Sequence, residues 1–160
     1  MSRHESDRED LLHEATALVE RMEFTLADHP EPIVVGFRRD GSASFYFGAD
    51  PVFQFNSAGE LRRAFIGGLL YKAEDGRLVA LRRERSETEV ALVRFEISNE
   101  EATTLIADLC GRLSQLRAAL SSGSFTLVGQ IPVESDIVHR ISNWLVAMPA
   151  IAIARTPRVR

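Results

Sequence analysis

The sequence predicts an α+β fold: an antiparallel β-meander of about seven strands, with an N-terminal helix before it and a long helix, one further strand and a C-terminal helix after it. Three observations carry this reading. The dipeptides Asp40-Gly41, Gly67-Gly68 and Asp75-Gly76 each sit between short runs rich in β-branched and aromatic residues, and such dipeptides accept the positive φ of tight hairpins. The breaks between runs are short, which suits antiparallel neighbours rather than crossover units. At Ser98 the hydrophobic period then lengthens to that of a helix.

Taken in order, Leu11, Leu12, Ala15, Leu18, Val19, Met22 and Leu26 recur at three- and four-residue spacing and predict an amphipathic helix. Ser6-x-x-Glu9 reads as its capping box, and His29-Pro30-Glu31-Pro32 as its stop. Strands are expected at 33–39, 42–47, 52–56, 60–66, 69–74, 77–85 and 88–97. Gly41, Gly59 and Gly76 lie 18 and 17 residues apart, each closing a turn. The stretch Phe55-Asn56-Ser57-Ala58-Gly59-Glu60-Leu61 is similar to the aromatic-Asn/Asp-x-x-Gly-x-Leu unit of YD-repeat proteins, a likeness confined to these residues that implies a hairpin and no more. Ser98-x-x-Glu101 caps a helix to about Leu120, with Ala102, Leu105, Ile106, Leu109, Leu113, Leu116 and Leu120 as its buried stripe. A strand at 125–131 and a helix at 135–147 complete a domain spanning 1–148. Residues 149–160 read as a short basic tail.

A two-residue turn fixes register, because facing residues keep a constant sum of numbers. Gly67-Gly68 then sets Arg63 opposite Lys72 and Ala64 opposite Tyr71. Asp75-Gly76 sets Glu74 opposite Arg77. One face carries Ala64, Ile66, Leu69, Tyr71, Ala73, Leu78 and Ala80, a core face. The other carries Leu61, Arg63, Phe65, Leu70, Lys72, Glu74, Arg77, Val79 and Leu81. Arg63 facing Lys72 is unfavourable by up to about 1 kcal/mol, so an acidic group is expected nearby, either Glu74 or one outside the chain. Arg63, Lys72 and Arg77, with Phe65 beside them, form the candidate anion or partner patch. The Asp40-Gly41 turn, read the same way, sets Val35 opposite Tyr46 and leaves both faces apolar. Such a sheet must be covered twice, curl, or dimerise.

Of the chain's 160 residues, 45% are hydrophobic and 26% charged, as in ordinary globular domains. A single cysteine, Cys110, excludes an internal disulfide. No apolar run reaches the length of a membrane helix and no secretory leader is legible, so a cytoplasmic protein with no membrane partner is expected. The net charge of −4 is uneven: residues 1–31 carry three basic and nine acidic groups, whereas residues 61–85 carry seven basic and three acidic. This asymmetry marks either an anionic partner or an acidic helix facing the basic sheet region inside the fold, and the second reading is preferred.

Motifs for phosphate loops, dinucleotide binding and zinc are missing from the sequence, so no cofactor, metal site or catalytic residue is expected. Asp136, His139 and Ser142 step by three along one helix and drift around it; Asp136 capping the helix or pairing with Arg140 explains them better. Cys110 reads as core and Arg112 as the partner of Asp108. The function expected is a non-catalytic binding or protein-interaction module, with an unknown protein partner or self-association through the sheet. An enzyme or ligand carrier with a cavity between sheet and helix is the first alternative. Nucleic-acid or polyanion binding by 61–85 is the second, weakened because Tyr71 faces away from Arg63 and Lys72 and gives no stacking platform.

Overall fold

In a computed structural model, residues 18–27, 29–129, 136–147 and 151–155 are described. They form one nine-stranded antiparallel sheet with two helices. The strands are β1 (Glu20–Leu26), β2 (His29–Phe37), β3 (Ala43–Phe47), β4 (Val52–Phe55), β5 (Leu61–Ile66), β6 (Leu69–Glu74), β7 (Arg77–Arg85), β8 (Val90–Glu96) and β9 (Phe125–Leu127). The first eight lie side by side in chain order, and β9 joins the free side of β1. The helices are α1 (Asn99–Ser122) and α2 (Ile137–Val146).

The expected α+β meander is therefore present in outline, with two corrections. The described sheet has nine strands, and residues 20–26, placed by the sequence in the N-terminal helix, are strand β1. Residues 11–17, the rest of that expected helix, lie outside the described residues. The spacing of Met22 and Leu26 suits either period, since four is close to one helical turn and is twice the strand repeat. Burial decides for the strand: Met22 and Phe24 are buried while Val19, on the expected helical stripe, is exposed. Phe24, absent from that stripe, meets Phe125 of β9 edge-on at 5.9 Å.

Register follows the turns. Arg63 faces Lys72, Ala64 faces Tyr71, and Glu74 faces Arg77, as the two-residue turns predict. The first hairpin is shifted by one residue: Val35 faces Phe45, and Val34 faces Tyr46. There Arg39, Asp40 and Gly41 form a three-residue loop closed by Arg38 N donating to Ser42 O at 2.9 Å. Gly41, at φ +85°, takes the left-handed position such loops need. Asp40 Oδ1 accepts from Ser42 N at 2.9 Å and Ser42 Oγ at 2.6 Å, and these bonds hold its pKa below the ordinary carboxylate value.

One face of the sheet meets both helices. Its central row, read strand by strand, is Met22, Val35, Phe45, Phe53, Ala64, Tyr71, Ala80 and Phe95. Leu105, Leu109, Leu113, Leu116 and Leu120 of α1 and Ile137, Ile141 and Leu145 of α2 pack on it; each fully buried leucine contributes about 1.5–3 kcal/mol. Trp144 lies 5.1 Å from Phe45 and 5.0 Å from Phe55 between ring centroids. Helix α1 opens as the sequence predicts, with Ser98 Oγ accepting from Glu101 N at 3.0 Å, and closes on Gly123 at φ +73°.

Candidate functional site

The second face is built from two parallel rows. The first runs Glu23, Val34, Tyr46, Val52, Phe65, Leu70, Leu81 and Arg94 across eight strands. Its members Tyr46, Val52, Phe65 and Leu70 form a small buried cluster with Leu18. The next row runs Arg21, Gly36, Ser44, Gln54, Arg63, Lys72, Val79 and Glu96. Here the polar groups bond along the row: Arg38 Nη2 donates to Ser44 Oγ at 2.6 Å, and Arg63 Nε donates to Gln54 Oε1 at 2.7 Å. Ser44 and Gln54 are buried, so these bonds satisfy groups that burial would otherwise penalise.

At Arg63 and Lys72 the polar row borders a groove of about 560 Å³ lined by Asn56, Arg62, Arg63, Lys72, Ala73, Ala154 and Arg155. Three chain segments build it. The β4–β5 pairing shifts by one residue between Gln54 and Phe55. This shift moves Leu61 to the helix-bearing face, correcting its expected place beside Arg63. It leaves Arg62 exposed at the groove. The hairpin to β6 supplies Lys72. Residues 151–155, which the sequence assigns to the basic tail, run along the sheet end: Leu61 N donates to Ala152 O at 2.8 Å, Ala154 N to Leu61 O at 2.9 Å, and Gly76 N to Ala154 O at 3.3 Å. These bonds bring Arg155 to the groove.

Of the candidate patch, Arg63 and Lys72 thus lie together in the groove. Arg77 lines a different cleft of about 400 Å³, with Glu74, Arg94, Glu96 and the apolar Leu78 and Ile106. Phe65 lies under the surface, 3% exposed. Arg62, which the sequence placed only within the basic 61–85 sector, and Arg155, placed in the basic tail, were absent from the candidate patch; no side-chain pattern marks a bulge or a backbone-held tail. Glu74 is bonded to Arg94. That bond first, and the fields of Arg94 and Lys72 after it, hold its carboxyl below the ordinary glutamate range.

The remaining titratable groups take structural places. Tyr71 is in the core, its hydroxyl donating to Glu101 Oε1 at 3.4 Å; burial, and then Glu101, raise its pKa. Asp136 makes no side-chain cap to α2, and Arg140 pairs instead with Glu20 while stacking 4.6 Å from the Phe37 ring centroid. The Arg112 Nε–Asp108 pair forms as expected at 3.0 Å. Among the described residues no three His, Cys, Asp or Glu side chains gather as a metal-ligand set, and no helix is long and apolar enough to cross a membrane. Compared with models of known protein families, with curated proteins and with solved structures, the chain matches none.

Proposed function

We propose that this chain is a non-catalytic binding module that takes an anionic partner, one bearing phosphate or clustered carboxylate groups, in the groove at the end of its sheet. The supporting observation is the lining: Arg62, Arg63, Lys72 and Arg155 converge from three segments, and among the described residues no carboxylate lines the same groove. Guanidinium groups suit planar or tetrahedral oxyanions because they donate in a fixed fork. Arg63 is already oriented by Gln54, so less side-chain freedom is lost when a ligand arrives. The groove is open rather than enclosed by core, which favours the charged end of a larger partner over a small molecule held on all sides.

The test is a calorimetric titration of the full chain with inorganic tripolyphosphate. Binding is expected, weakening as salt rises. The Arg62→Ala/Arg155→Ala double variant, altered only at exposed positions, is expected to bind about tenfold or more weakly, since bonds to charged groups contribute about 1.5–3 kcal/mol and exposure reduces that. Equal affinity in the variant, or no binding by the parent chain, overturns the proposal.

A further inference from the structure

The helix-bearing face holds a cleft of its own, between the second half of α1 and strands β1, β2 and β3. It measures about 350 Å³, a size that suits a small ligand. Its apolar lining includes Leu26, Ile33, Phe47, Ala118 and Ala119. Arg112 and His29 also line it, and among the described residues no carboxylate does. Both groups meet one ring: the Arg112 guanidinium carbon lies 5.4 Å from the Phe47 centroid, and the His29 ring centroid 6.2 Å from it. Asp108 takes the Nε edge of Arg112 at 3.0 Å. A guanidinium held on its face and on that edge keeps its two terminal nitrogens as the fork that fits a carboxylate. It is also ordered before any ligand arrives. We infer that this cleft binds a small monocarboxylate with an apolar tail, the head on Arg112 and the tail along α1.

Two features set that direction. Arg112, Gln115, Ala119 and Ser122 step by three and four residues along one stripe of the helix, about 15 Å from end to end. At the far end the Ser122 and Ser124 hydroxyls bond each other at 2.8 Å, and α1 stops at Gly123. The helix dipole places partial negative charge there, which disfavours a carboxylate. The head therefore belongs at Arg112, and the tail lies over Ala118 and Ala119 against Leu26 and Ile33. The inference goes beyond the anion groove and stands without it: the two sites share no lining residue. Tripolyphosphate, with no apolar part to bury, does not suit this cleft.

The experiment titrates isotope-labelled full chain with octanoate, octanol and acetate and follows amide and methyl shifts. Octanoate is expected to shift Ile33, Ala118 and Ala119 saturably. Octanol, which lacks the charge, and acetate, which lacks the tail, should each bind at least tenfold more weakly. Arg112→Gln is expected to weaken octanoate at least tenfold while leaving octanol unchanged, a selectivity that mere loss of packing would not produce. Ala118→Phe, at an exposed position of the lining, should block octanoate by filling the cleft. No saturable shift, shifts centred outside the cleft, or octanol binding as tightly as octanoate overturns the inference. Unchanged octanoate affinity in either folded variant overturns it as well. If Arg112→Gln does not fold, the octanoate-to-octanol ratio of the parent chain decides the matter.

Discussion

Gly36→Ala tests the placement of β1 through the sign of a stability change. Gly36 faces Arg21 across the β1–β2 pairing. A Cβ there would stand 2.5 Å from the Glu20 carbonyl oxygen and 2.7 Å from Leu18 Cδ1. The carbonyl belongs to a paired strand and can yield little, whereas Leu18 can rotate. Forcing one extra carbon into such a site costs about 1–3 kcal/mol. Relief of the glycine entropy penalty, about 0.5–1 kcal/mol, offsets only part of this. A net loss of about 0.5–2 kcal/mol is therefore expected, read as a lower urea midpoint at unchanged slope and as a Tm lower by about 2–4 °C per kcal/mol. If residues 18–26 formed a helix away from β2, nothing would meet the new carbon and the same change would stabilise. An unchanged or raised midpoint refutes the strand assignment. A Leu18→Ala/Gly36→Ala double variant should recover the part of the cost owed to Leu18, a coupling of about 0.5 kcal/mol or more.

Three further outcomes follow from the same structure. Leu116→Ala, at a fully buried point of the α1 stripe, should cost about 2–5 kcal/mol in urea denaturation. Glu74 has a depressed folded pKa because of Arg94. Its contribution is thus present above the unfolded carboxylate value and is lost as pH falls through the folded one. Glu74→Gln should flatten the acid limb of a stability–pH profile below about pH 4.5. Tyr71 has a raised folded pKa, so its contribution is full below pH 10.0 and fades as pH rises through the folded value. Tyr71→Phe should flatten that alkaline limb while leaving the acid one unchanged.

How far the sequence carried depended on whether local chemistry was unambiguous. Gly67-Gly68 admits one tight turn, so the facing of Arg63 and Lys72 was legible from numbering alone, and with it half of the groove. Asp40-Gly41 admits two loop lengths, and the choice fell to the Asp40 carboxylate bonding Ser42; one residue of difference exchanged Phe45 and Tyr46 between faces. In β1, leucine and methionine spaced by four satisfied both periods, and the burial of Phe24 with the exposure of Val19 separates them. Arg62 and Arg155 reach the groove through a register shift and through backbone bonds of Ala152 and Ala154, neither of which leaves a mark in side-chain pattern.

The most direct test of an anion-binding groove is a residue-by-residue map of where an anion lands. Isotope-labelled full chain titrated with inorganic tripolyphosphate should show saturable amide shifts concentrated at Arg62, Arg63, Lys72, Ala73, Ala154 and Arg155, with α1 and α2 unmoved. Shifts centred on the Arg77–Arg94 cleft or on a helix, or no saturable shift at all, contradict the account.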